Sequence, residues 1–308
     1  MSVQHEAYLY RDLAEFVAAA QPFVEEGVAA NETVLVAVRA QQIDALRSVL
    51  ACPDGVVFAD MVDLGRNPTR IIAAWREFIQ HNVEAGRGIR GIGEPIWPGR
   101  SAAEVLECQR NEALLNVAFA DGPTWRLMCP YNINTLPPAV IEEALTSHPV
   151  IARDGVRTPS DRYEPSLERL DGPLPTPPPD AAEVAFTIAD LPTLRNVIAT
   201  LATRANLHPD RAAELLLAVH EIAVNSIQHG GGEGLLRAWL EQNSVVCEVT
   251  DHGWAPDPLT GRERPPAAAR HGRGLWLANE WCDLVQWRSW TTGTLVRLHM
   301  AGPPPRIP

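Results

Sequence analysis

The stretch PDRAAELLLAVHEIAVNSIQHG, residues 209–230, decides the fold. Placed on a helix at about 100° per residue, Leu215, Leu216, Val219, Ile222, Ala223 and Ile227 fill one broad arc. Glu221, Asn225 and His229 follow at every fourth position on another arc, each turned about 40° from the last. The helix therefore buries one face and presents a carboxylate, an amide and an imidazole in a row on another. A row of this kind is most often a solvated polar face. The residues downstream argue for a site.

Residues 245–250 read as a strand, with Asp251 at its end and Gly253 two residues on. A carboxylate there accepts a hydrogen bond from an amino group such as that of adenine, and the glycine lets backbone come close. Gly272-Arg273-Gly274 precedes a helix over 274–281. Glycines before a helix N-terminus let backbone amides and the helix dipole meet phosphate. Gly293-Thr294 opens a final strand, where the hydroxyl reaches a base or a bound water. Around these features, 181–188 reads as an edge strand and 191–207 as a helix. Strands over 235–240 and 245–250 turn at Gln242-Asn243, and strands over 284–289 and 294–300 turn around Gly293. Residues 181–300 are thus predicted to form an α+β sandwich, an antiparallel or mixed sheet with helices on one face.

Upstream lies a proline-rich stretch, 158–180, ending in Pro177-Pro178-Pro179. Proline removes amide donors and fixes φ, so this run reads as a semi-rigid linker, with a short helical turn over 166–170. Residues 1–157 alternate. Helical spacing over 9–30, 43–50, 67–84, 102–120 and 137–146 is interleaved with strands over 34–38, 56–59, 89–92 and 125–129. That order predicts a mainly parallel sheet covered on both faces.

The 308 residues suffice for two domains, and a 46% apolar content gives each a core. A net charge of −12 argues against direct nucleic-acid binding and against docking on anionic lipid. The polar start, 1–10, carries no apolar leader, and no run approaches the roughly 20 apolar residues of a membrane helix. Five scattered cysteines, Cys52, Cys108, Cys129, Cys247 and Cys282, read as reduced thiols of a cytoplasmic protein. A meeting of Cys108, Cys129 and His81 at a metal is not the favoured reading.

The succession Glu221-xxx-Asn225-xxx-His229, Asp251-His-Gly253, Gly272-Arg273-Gly274-Leu275 and Gly293-Thr294 resembles the nucleotide-binding boxes of GHKL (Bergerat) ATPases. Over 183–300 it is most similar to the RsbW-like anti-sigma factor serine/threonine kinases. That resemblance implies an ATP-Mg²⁺ site. Asn225 would be the Mg²⁺ ligand, Asp251 would bind adenine, and residues 272–275 would cover the phosphates. His229, Gly253 and Thr294 complete the binding set, and Glu221 is the implied general base. The implied partner is a STAS-domain anti-anti-sigma factor, a sigma factor, or both, and a homodimer is one expected assembly. Ala255 stands where many members of the family carry a second glycine. The lid, 257–271, carries Arg262, Arg264 and Arg270, with Arg273 just beyond it. Arg273 is the arginine best placed for phosphate, and the others read as solvated. Histidine kinases share this ATPase module but need a helical hairpin bearing a phosphoacceptor histidine, and a proline linker stands in its place. A non-catalytic ATP-dependent switch is the main alternative.

In the first half, Gly93-Glu94-Pro95-Ile96-Trp97-Pro98-Gly99-Arg100, Glu107-Cys-Gln-Arg-Asn111-Glu112 and Cys129-Pro130-Tyr131 resemble the MEDS sensory domain over 5–152. The resemblance implies a RecA-like core without its phosphate loop, and Arg39-Ala-Gln-Gln after the strand 34–38 is indeed no P-loop. Glu94, Trp97, Arg100, Glu107 and Asn111 are candidate pocket residues at strand ends and on one helix. A buried ion-pair network, Glu107 with Arg100 for example, explains them equally well.

Overall fold

The computed structural model describes residues 3–51, 54–265 and 272–303. Cys52, Arg270 and the lid segment 266–271 lie outside the described residues. The chain divides into two compact units, 1–170 and 171–308.

The first unit runs β1 (Val3–Tyr10), α1 (Leu13–Ala29), β2 (Glu32–Val38), α2 (Ala40–Val49), β3 (Val56–Asp60), α3 (Met61–Leu64), α4 (Ile71–Glu84), β4 (Gly88–Gly93), α5 (Ala102–Ala118), β5 (Trp125–Asn132), α6 (Pro138–Ser147), β6 (Val150–Arg153) and β7 (Val156–Pro159). Its sheet has the order β3-β2-β4-β5-β1-β6-β7, parallel throughout except for the β6–β7 hairpin. Val34, Val36 and Val38 pack with Ile92 and Met128 against Phe16, Val24 and Leu46 of α1 and α2. On the other face, Trp75 of α4 lies over Gly91 and beside Trp125, with ring centroids 5.4 Å apart. α5 begins with a capping box, in which Ser101 and Glu104 each satisfy the other's backbone amide.

Two points of this half differ from the sequence reading. Residues 3–10 form a strand beside β5 rather than a polar lead into a helix, and the helix starts only at Leu13. Alternation hid the strand because His5 and Glu6 are polar yet buried, each met by polar partners. The β6–β7 hairpin also went unread, although Asp154-Gly155, both at positive φ, is a strong two-residue turn signal. The proline-rich stretch, read as a semi-rigid linker, makes contacts of its own. Ser160 and Glu164 hydrogen-bond to the backbone of α6, and Arg169 pairs with Glu143. Within the second unit, Asp171 and Pro175 offer carbonyls to Trp290 and Arg297, and Leu174 is buried.

The second unit runs β8 (Ala182–Phe186), α7 (Leu191–Arg204), α8 (Pro209–His229), β9 (Gly234–Glu241), β10 (Ser244–Asp251), α9 (Gly274–Trp281), β11 (Leu284–Trp290) and β12 (Gly293–Ala301). The sheet order is β11-β12-β10-β9-β8, antiparallel throughout. One face supplies Val245, Cys247, Val249, Val296, Leu298 and Met300 to a core closed by Leu215, Val219 and Ile222 of α8 and Leu194 and Ile198 of α7. The apolar arc of α8 thus becomes the floor of a helical layer.

Gly91 tests the packing of the parallel sheet. A methyl group there would lie 2.5 Å from the Trp75 ring. Gly91→Ala is expected to destabilise the first unit by about 1–3 kcal/mol, read as a lowered urea midpoint at unchanged slope.

Candidate functional site

The site assembles where α8, the end of β10 and the start of β12 converge. Asp251 is the last residue of β10 and pairs in register with Thr294. Its Oδ1 accepts from the Thr294 hydroxyl at 2.7 Å and from the Gly253 amide at 2.7 Å, and its Oδ2 accepts from the Ser226 hydroxyl at 2.6 Å. A carboxylate has about four lone-pair positions, so one remains, on Oδ2, for a further donor. The backbone crowds around this group. A methyl group on Gly230 would come within 2.5 Å of the Asp251 Cγ, and one on Gly293 within 2.4 Å of its carbonyl oxygen. Gly253 sits 2.9 Å, by the same measure, from both the Asp251 Oδ1 and the His229 carbonyl.

Beside Asp251 opens a cavity of about 320 Å³, within the range of small-molecule sites. Asn225, His229, Gly253, Gly272, Leu275 and Thr294 all contribute to its wall. The first turn of α9 closes against α8. A methyl group on Gly274 would sit 2.7 Å from the Asn225 Nδ2 and 3.2 Å from the Glu221 Oε2. Only glycine lets that helix start so near the polar row. Glu221 thus stands at the α8–α9 junction, outside the cavity wall, and Arg273 is exposed at the N-cap of α9. A larger hollow of about 740 Å³ borders β8, β9 and the 290–295 turn and also touches Asp251 and Thr294. None of the α8 polar row lines it, so the smaller cavity is the one where that row and Asp251 meet.

Sequence reasoning missed Ser226, Trp254, Thr260 and Trp287, all of which line the cavity. Ser226 was legible in principle. It follows Asn225 on the border of the apolar arc, one helical position from the polar row. The lid needs one correction. Arg262 is buried at 3% exposure rather than solvated, and Arg264 lies over the Trp276 ring, 6.0 Å from its centroid. Asn279 of α9 ties the lid down by donating to the Gly261 carbonyl at 2.7 Å. Ala255 donates its amide to the Ser289 hydroxyl at 2.9 Å and packs against the apolar core.

In the first unit, the carboxyl ends of the parallel strands hold a different constellation. Glu94 is buried, accepts from the Tyr10 hydroxyl at 2.6 Å and pairs with Arg39 at 3.0 Å. Burial and the Glu94 carboxylate push the Tyr10 phenol up, keeping it a donor. Arg100 stacks on Trp97 at 3.8 Å and bonds the Pro95 and Gly65 carbonyls. It also pairs with Glu104 at 3.2 Å. Glu107 and Asn111 are fully buried on α5.

Residues 4–149 match the family model of the MEDS domain, the MEthanogen/methylotroph, DcmR Sensory domain. Residues 184–300 match the histidine kinase-like ATPase domain. No curated protein matches the chain. Among solved structures, the RsbU and RsbW domains of Rv1364c from Mycobacterium tuberculosis are similar at 17% identity and a TM-score of 0.30. That match covers 39% of this chain and 32% of the other, so this chain spans about a third of that one's length.

The grip on Asp251 is expected to be energetically visible. Ser226→Ala removes a hydrogen bond to a charged group, worth about 1.5–3 kcal/mol. The second unit should unfold at lower urea by that amount, with the slope unchanged.

Proposed function

We propose that this chain, a MEDS domain followed by a histidine kinase-like ATPase domain, is a cytoplasmic signalling regulator of the anti-sigma kinase type. In this reading its second unit binds ATP with Mg²⁺. It transfers the γ-phosphoryl group to a serine or threonine of a STAS-domain partner, holds a sigma factor, or both. The first unit, read as a RecA-like core without a phosphate loop, controls it. The observation that carries the reading is the junction of α8 and α9: Glu221 and Asn225 lie against Gly274 at a helix start, beside the Asp251 cradle.

The roles follow from position. The free lone pair of the Asp251 carboxylate accepts the adenine amino group, while Thr294 and Gly253 hold that carboxylate in place. The start of α9, with Gly272, Arg273, Gly274 and Leu275, offers amides and a dipole to the phosphates. Asn225 and His229 face the cavity, and the Asn225 amide oxygen suits a hard cation that keeps most of its ligands as water and phosphate. Glu221, one turn up α8, is positioned to take the acceptor hydroxyl proton. Transfer to a histidine of this chain is disfavoured, because His148, the histidine nearest upstream of the ATPase domain, is fully buried.

Two measurements test this. ATP with Mg²⁺ is expected to raise the melting temperature of the wild type, and Asn225→Ala to erase that rise. No shift in the wild type removes the site assignment. With γ-labelled ATP and a STAS protein, label should appear on the STAS protein and vanish with Glu221→Ala. Transfer that survives the substitution takes the base role from Glu221, and binding with no transfer at all favours the non-catalytic switch.

A further inference from the structure

Away from the nucleotide cavity, the first unit buries a cluster of a different kind. His5 on β1, Glu112 on α5, Cys129 on β5 and His148 at the C-cap of α6 are each 2% exposed or less. Their donor atoms all lie within 4.8 Å of one another. The Nε2 of His5 is 3.2 Å from the Glu112 Oε2 and 3.3 Å from the Cys129 Sγ, and the Nε2 of His148 is 3.0 Å from the same Glu112 oxygen. Cys129 is thus drawn into a donor set with neither His81, which is exposed on α4, nor Cys108, whose thiol bonds the Pro95 carbonyl.

The outer contacts settle which nitrogens carry protons. The Nδ1 of His148 is 2.8 Å from the Ala144 carbonyl, which can only accept. The Nδ1 of His5 is 3.1 Å from the Asn116 Oδ1, and the amide nitrogen of Asn116 donates to the Ser147 carbonyl, so that oxygen accepts too. Both neutral imidazoles therefore turn an Nε2 lone pair toward one carboxylate. The His148 contact also lacks hydrogen-bond geometry. The Cys129 thiol is the one hydrogen-bond donor within this convergence of acceptors, and the two imidazole rings lie with centroids only 4.0 Å apart.

We infer that the MEDS domain binds one divalent transition-metal ion of the zinc class through His5, Glu112, Cys129 and His148. Zinc–ligand bonds of about 2.0–2.3 Å place tetrahedral donors roughly 3.3–3.6 Å apart, near the three short separations above and within a small contraction of the 4.8 Å that bounds the whole set. Charge balances as well: a thiolate and a carboxylate cancel the dication, and the site is neutral. On binding, the Cys129 thiol proton leaves to solvent, the sulfur–metal bond forms, and no oxidation state changes. The mixed nitrogen, sulfur and oxygen set disfavours Mg²⁺ and Ca²⁺, which take oxygen ligands. The carbonyl of Ala144 and the amide of Asn116 are the outer partners that metal-binding histidines ordinarily have. Four protein donors complete a closed site. The ion would fasten β1, β5, α5 and the end of α6, independently of any nucleotide in the second unit.

The test uses the full chain, stripped with a chelator and free of nucleotide and Mg²⁺, titrated with Co²⁺. One equivalent should bind with tetrahedral d–d bands and a thiolate-to-cobalt charge-transfer band, releasing about one proton per ion. Zn²⁺ should bleach these bands and raise the melting temperature. Cys129→Ser should abolish the charge-transfer band, Cys108→Ser should leave it intact, and His148→Gln should weaken binding at least about tenfold. Absence of cobalt binding, or a charge-transfer band that survives Cys129→Ser, overturns the inference. Should those variants not fold, X-ray absorption of the zinc-loaded wild type decides. One sulfur with three nitrogen or oxygen donors supports the site, and any other count overturns it.

Discussion

The candidate site depends on the grip on one carboxylate. Asp251 is held by a hydroxyl from α8, a hydroxyl from β12 and an amide from the turn that follows β10. Each of these bonds has a charged acceptor in a partly buried place, where such bonds are strongest. Together they fix the distance between the helical layer and the sheet at the point where the cavity opens. The glycines at 230, 253 and 293 follow from that grip, because each stands where backbone comes too near Asp251 for a side chain.

The same economy governs the α8–α9 junction. Gly274 lets a helix begin against Asn225 and Glu221, so backbone amides and a carboxylate share a small space. The described part of the lid is anchored by its own contacts, Asn279 to Gly261 and Arg264 over Trp276. Arg262 is buried, and the exposed cation at the helix start is Arg273. A row of arginines in sequence thus separates into different jobs once the fold assigns each an environment.

The first unit shows how a buried polar residue misleads a pattern. β1 lies between β5 and β6 in the sheet, yet His5 and Glu6 break its apolar alternation. Both are tolerated because partners more than a hundred residues away satisfy them: Asn116 and Glu112 for His5, Arg126 and Arg157 for Glu6. Burying such groups without partners would cost several kcal/mol each. Periodicity counts hydrophobicity at neighbouring positions, and these compensations are not neighbours.

Local chemistry by itself determined much of this protein. The amphipathic arc of α8, the alternating strands of the second unit, the glycines before α9 and the strand–helix succession of the first unit are all set by residues within a few positions of one another. So was the succession of short, ordered boxes that resembles a nucleotide-binding motif. Only the tertiary structure decided that Ser226 bonds Asp251 and that the proline-rich stretch bonds to α6 and β12. It alone brought donor atoms of His5, Glu112, Cys129 and His148 within 4.8 Å of one another. Those facts depend on which side chains meet after the chain has crossed a sheet several times. Spacing along the chain carries no record of such meetings, because distance in space is fixed by strand order and helix packing.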